Sequence, residues 1–367
     1  MKREVFMKLL NFTITCLLLL ASITGSAQAY SDSRFIQKSF SASGIRAVNV
    51  SNKYGDVDVE IWNKDSVKCE IEITVKGEKF EHLDMLNDMV YADIRKNTDY
   101  ITATTKIGEE SGMLQKSRYA IANKIGGTQR IIVNYKVYLP AHMTLRLNNK
   151  FGDVFLPDMT AQVDLEIAHG NVIARNFNVL NADLSYGEFR AGKIQKSSLY
   201  LNYMDDVEVD QIVTLDLTSV SSRIDFGVVQ SLVLNSKHDK IIIESLEELR
   251  GETTFSKLKI AGLHKKCSLT SKFGEIKLQG LSNSVTSISC TGNSTDYEFF
   301  WSMGYHANFD FQLESLKSIQ MPTTGIEISK DDSFDKIRFV KGKIGSANTS
   351  SELKLVAKSA YIVMGEK

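Results

Sequence analysis

A turn signal returns every 17 or 18 residues through the middle of this 367-residue chain, and that period limits what the chain can fold into. Its clearest copies are Asn52-Lys53-Tyr54-Gly55-Asp56-Val57, Asn149-Lys150-Phe151-Gly152-Asp153-Val154 and Ser271-Lys272-Phe273-Gly274-Glu275-Ile276. The glycine position runs Gly152, Gly170, Gly187, Met204, Ser222, Asp239, Ser256, Gly274 and Gly292. The position before it runs Phe151, His169, Tyr186, Tyr203, Ser221, His238, Phe255 and Phe273. Each copy holds two short alternating runs, such as Val154 and Leu156, then Val163, Leu165 and Ile167. Alternation of period two marks a strand with one face buried. A two-strand unit of this size cannot bury that face alone, but stacked copies can share one core. The expected fold class is therefore all-β, a solenoid of single 17- or 18-residue coils.

The turn chemistry leads to a further expectation. A tight reversal often needs a positive φ, which glycine adopts at no steric cost and Asp tolerates, as at Asp239. At Met204, Asp205 or Asp206 is expected to take that conformation. Only Pro140, Pro157 and Pro322 occur, which suits continuous ladders because proline removes a donor.

Four segments are expected. Residues 1–29 read as a signal peptide: Lys2, Arg3 and Lys8, an apolar run from Leu9 to Leu20, and a small-residue exit ending at Ala29. Cys16 precedes the long leucine run and does not sit where a lipid-anchoring cysteine would. Residues 30–147 read as a β-rich region with an amphipathic helix over 79–95, from Phe80, Leu83, Leu86, Val90 and Ile94. This helix is expected to cover the open end of the solenoid, and 107–127 reads as a long polar loop. Residues 148–292 carry the repeats, and 293–367 form a β-rich C-terminal cap with an aromatic group at Phe299, Phe300, Trp301 and Tyr305.

Without residues 1–29 the chain carries 41 basic and 43 acidic residues, so no basic field invites nucleic acid. Three cysteines remain, Cys69, Cys267 and Cys290, too few for a disulfide framework, though one pair could form. The histidines show no metal-type spacing, and no nucleophile elbow, phosphate loop or zinc-protease signature occurs. No catalytic residue, cofactor or metal site is assigned.

Two columns invite a functional reading. The residue after the glycine position runs Asp153, Asn171, Glu188, Asp205, Arg223, Lys240, Lys257 and Glu275, acidic and then basic. It is either a graded polar groove or a solvated edge with weak ion pairs. The aromatic column, with Phe151, Tyr186, Tyr203, Phe255 and Phe273 as its rings, is either an inward core ladder or an outward platform for sugar rings. The turn interrupts the alternation, so parity does not decide its direction.

On its Asn-Lys-Tyr-Gly-Asp-Val and Asn-Lys-Phe-Gly-Asp-Val turns, the Ser-Lys-Phe-Gly-Glu-Ile copy and the segment Ile132 to Pro140, the chain resembles the adhesin-like β-strand-repeat proteins of Bacteroidetes-type bacteria. These carry the domains of unknown function 4097 and 2807. The resemblance spans roughly residues 45–290. It implies a right-handed, single-stranded β-helix-like fold and export to the periplasm, outer surface or medium, and it implies no activity. The expected function is a non-catalytic binding or scaffold protein of the cell envelope, with a surface protein or glycan as partner and a homo-oligomer as one possible state. The alternatives are a carbohydrate-active β-helix protein, which needs a cleft with paired carboxylates, and an envelope-signalling accessory protein.

Overall fold

The computed structural model describes residues 30–77, 79–108, 130–347 and 349–367. The expected signal peptide and nearly all of the 107–127 loop lie outside these residues. The described chain is almost entirely β, its strands joined in one open ladder. The described residues divide into two compact units, one drawn from 30–34, 73–91 and 106–132, the other from 35–72, 92–105 and 133–367.

The first unit contains the one helix of the described residues, Phe80–Met89. The 79–95 expectation is corrected here: from Val90 to Lys96 the chain is a strand. Val90 and Ile94 are buried, and spacing by four suits alternate strand positions as well as it suits helical turns. Leu83, Leu86 and Met89 are buried on the helix, Phe80 packs edge-on against Tyr30, and Asn87 Nδ2 donates to Asp32 Oδ2 at 2.6 Å.

In the second unit the period becomes register. Strands Glu188–Asn202, Asp206–Val220, Arg223–Lys237 and Lys240–Thr254 pair in parallel, each with the next. Each is continuous for 15 residues, where two short runs were expected. The core forms columns of identical position. One reads Leu145, Val163, Leu180, Ser197, Leu215, Leu232, Leu249, Cys267, Ile288 and Leu353. A second carries Val154, Val172, Phe189, Val207, Ile224, Ile241, Leu258, Ile276, Tyr297 and Ile362. These side chains are buried, each hydrophobic one stabilising the fold by roughly 1.5–3 kcal/mol if aliphatic or aromatic.

The ends of the stack do not follow chain order. Ala47–Lys53 lies between Tyr100–Ile107 and Thr144–Lys150, so the Tyr54 turn stacks directly on the Phe151 turn. At the other end Glu352–Lys358 inserts between Ser287–Trp301 and Ala307–Glu314. The hairpin Ile326–Phe334 and Ile337–Ile344 then pairs antiparallel onto Ala307–Glu314. Phe299, Trp301 and Tyr305 are buried and form the aromatic interior of this C-terminal region.

Candidate functional site

Each residue of the turn motif has a distinct task. The Asn149 amide donates to the carbonyl of Gly152 in its own turn at 2.9 Å and to that of Gly55 in the neighbouring turn at 3.0 Å. Asn52 does the same toward Gly55 and Val133. Both Asn residues are buried, so these bonds satisfy carbonyls that water does not reach. On the outer side a carboxylate or amide oxygen accepts the next repeat's backbone N–H: Asp56 from Asp153, Asp153 from Asn171, Asn171 from Glu188, at 2.8–2.9 Å.

The positive φ does not belong to glycine. It falls on the preceding residue in every repeat: Tyr54, Phe151, His169, Tyr186, Tyr203, Ser221, His238, Phe255 and Phe273, with φ between 53° and 66°. Ser294, Ser359 and Ser315 continue the pattern. At the Met204 turn Tyr203 takes it, not Asp205 or Asp206, and at Asp239 it is His238. Thr295, not Gly292, follows Gly274 in register. Glycine is required for another reason. A Cβ on Gly152 would stand 2.0 Å from the Gly55 carbonyl oxygen, and one on Gly170 2.0 Å from that of Gly152.

Where glycine is absent, the turn interior becomes polar. Asp239 is buried and accepts from the Ser222 and Lys237 backbone N–H groups and from the Ser219 and Ser236 hydroxyls. Burial pushes its carboxyl above the ordinary Asp range, with those four donors opposing the shift. A group whose pKa is raised on folding stabilises fully below its unfolded pKa, and that contribution fades as pH rises through the folded value. Urea denaturation of Asp239→Asn against the native protein is therefore expected to show a stability difference that moves in the variant's favour from pH 4 to pH 7. A difference constant with pH counts against a buried, strained carboxylate.

The aromatic column faces outward. Phe151, Tyr186, Tyr203, Phe255 and Phe273 are about half exposed, between 46% and 51%. Tyr54, far from Phe151 in the sequence, begins it. The rings stack almost parallel: Tyr54 on Phe151 at 5.4 Å, Phe151 on His169 at 4.9 Å, His169 on Tyr186 at 4.7 Å and Tyr186 on Tyr203 at 5.3 Å. After a gap at Ser221 the stack resumes, His238 on Phe255 at 5.0 Å and Phe255 on Phe273 at 4.8 Å. The inward core ladder is thereby excluded for these residues. Lys53 Nζ sits 4.6 Å from the Tyr54 ring centre.

A shallow groove of ≈ 450 Å³ lies on another face, lined by Arg146, Asp164, Glu166, Asn181, Asp183 and Tyr200 among others. Glu166 and Asp183 are partners on adjacent strands. Asp164 accepts from Gln162 at 2.7 Å and Asn181 at 2.8 Å, and Glu166 lies 3.7 Å from Lys150 Nζ. In the sequence these carboxylates are indistinguishable from the polar half of any alternating strand. Among the described residues Cys69, Cys267 and Cys290 are buried free thiols. Burial pushes Cys69 up to about 12, and Cys267 is raised by its contact with Cys290 and by burial, which disfavours the nucleophilic thiolate.

No family model matches the chain, and no curated protein matches it. The resemblance noted above therefore rests on the turn motifs. Among solved structures the chain is similar to a "putative adhesin" from Parabacteroides distasonis (9% identity, TM-score 0.31, covering 91% of this chain and 98% of that one). It is also similar to a "putative lipid binding protein" from the same organism (12%, TM-score 0.29, 91% and 96%). A "putative cell adhesion protein" from Clostridium sporogenes matches at 8%, TM-score 0.20, 92% and 100%. Likenesses this slight carry no argument about what the chain does.

Proposed function

We propose that this chain is an exported, non-catalytic binding protein of the cell envelope, built as a right-handed β-solenoid, whose outward aromatic column is its contact surface for glycans. Parallel register at a 17- to 18-residue period supports the solenoid. The exposed column carries the functional part of the reading. A bulky residue at positive φ costs about 1–2 kcal/mol, and Gly or Asn would avoid that cost. Stacked pairs return about 0.5–1.5 kcal/mol each. Folding alone thus gains little from rings at these positions, whereas a half-exposed row of rings offers apolar faces to a sugar, and Tyr186 and Tyr203 add hydroxyls. Tyr186→Ser with Tyr203→Ser is expected to weaken retention on immobilised envelope glycans at least fivefold with the thermal transition moved by no more than a few degrees. Unchanged retention, or no retention by the native protein on any glycan surface, overturns the proposal.

The carboxylate-lined groove favours a second reading, a carbohydrate-active protein. It requires release of new reducing ends from a polysaccharide panel, abolished by Glu166→Gln or Asp183→Asn.

A further inference from the structure

Two anomalies meet at one place on the stack. The first is the missing ring. From Tyr54 to Phe273 every turn position carries a ring except Ser221. The ring positions of Tyr203 and His238 are two repeats apart, about 9.6 Å at the usual strand spacing. The face of each that looks toward Ser221 has no aromatic neighbour among the stacked pairs. The opening is one ring thick, with about 4.8 Å on either side, the spacing the column itself uses.

The second anomaly is charge. Arg223, Lys240 and Lys257 are direct partners on consecutive strands, two residues along the chain from Ser221, His238 and Phe255. Like charges directly opposite one another in a ladder are destabilising. Elsewhere this edge neutralises itself: Arg190 meets Glu188, Asp206 and Glu208, and Lys277 meets Glu275 and Glu298. Among the described residues none of Arg223, Lys237, Lys240, Lys257 and Lys259 has a carboxylate within ion-pair distance. Three acids border this strip: Asp206, which precedes the Val207–Ile224 pair and is engaged by Arg190, Asp225, which feels Lys240, and Glu275, the register partner of Lys257, which is engaged by Lys277. Lys240, Lys257 and Lys259 line a concavity of ≈ 200 Å³.

We infer that Ser221 and the strip of Arg223, Lys240, Lys257 and Lys259 form a binding site for a linear acidic polysaccharide of the polyuronate class. The terminal pyranose ring of the polysaccharide enters the opening, one C–H face against Tyr203 or His238. Its carboxylate meets Arg223, and the following sugars, kept out of the column by the His238 and Phe255 rings, run along its outside with their carboxylates toward Lys240 and Lys257. A polymer with one charge per sugar matches a wall with one cation per repeat, and it relieves a repulsion that no ion pair among the described residues removes. This inference rests on the glycan-facing reading above and narrows it to a ligand class and a segment of the column.

The test is calorimetric titration of the full chain with a polygalacturonate oligomer, a neutral glucan oligomer of equal length and a single-stranded oligonucleotide. Polygalacturonate is expected to bind tightest, more weakly as salt rises. Arg223→Ser, Lys240→Ser and Lys257→Ser together are expected to raise its Kd at least tenfold. Ser221→Tyr, which completes the ring column, is expected to raise it at least fivefold while leaving the melting temperature unchanged or higher. Polygalacturonate binding that survives both variants overturns the inference, as does tighter binding of the oligonucleotide. Glucan binding equal to or stronger than polygalacturonate overturns it while leaving the glycan-facing reading intact, and binding of neither sugar removes both.

Discussion

Gly152→Ala is expected to destabilise the protein by roughly 3 kcal/mol or more, the upper range for a forced overpacking. Its added methyl carbon would lie 2.0 Å from the Gly55 carbonyl oxygen and 2.4 Å from the carbonyl carbon. Both are backbone atoms of the adjacent turn, held by the Asn52 and Asn149 amides. Neither can swing aside as a flexible side chain could, so the two turns must separate and those bonds must lengthen. Gly44 supplies the control. It has a φ of +76° with nothing within 4 Å of a built Cβ, so Gly44→Ala should cost only about 1 kcal/mol from backbone strain. Urea denaturation of the two variants separates close approach from φ preference. Equal costs at both sites would mean that glycine is present for its torsional freedom, contrary to the structure.

Phe226→Ala is expected to cost about 3–5 kcal/mol, as for other fully buried aromatic side chains. Phe226 is fully buried, with Val209 and Ile243 as its partners on the flanking strands. Because neighbouring strands are pinned by in-register backbone bonds, they cannot collapse far into the cavity. Val233→Ala on the outer face of the same strand should change stability by no more than about 0.5 kcal/mol, since Val233 is exposed. Matching losses at the two positions would show that the inside and outside of this strand had been misassigned.

The period, the strand alternation and the buried columns were legible because side chains on a stacked strand obey a period of two and the stack copies position onto position. Val163, Leu180, Leu215 and Leu232 declare their column in the sequence itself. The turn was read less well. Glycine and positive φ are so often linked that Gly152 hid the fact that Phe151 carries the left-handed conformation. Only the packing of one turn on the next reveals that glycine serves close approach. For the same reason the direction of the rings stayed open: the residue at positive φ leaves the alternation, and no parity rule covers it. Tyr54 was separated from the column because residues 63–143 intervene, and only the pairing of Ala47–Lys53 with Thr144–Lys150 restores it. The helix was overextended because Val90 and Ile94 satisfy both periods.

Everything about the site depends on successive repeats lying in parallel register, which sets the ring column, the vacancy at Ser221 and the row of cations. Cysteine pairs measure that register directly. Ser198 and Asp216 are register partners, while Thr214 pairs with Lys196. Partners across a parallel ladder lie about 4.8 Å apart, within reach of a disulfide, and a two-residue offset places Cα atoms about 8 Å apart, beyond it. Under mild oxidation, Ser198→Cys with Asp216→Cys should cross-link nearly completely, and Ser198→Cys with Thr214→Cys should remain reduced. The reverse pattern, or equal yields from the two pairs, would contradict the stacked register and with it the site.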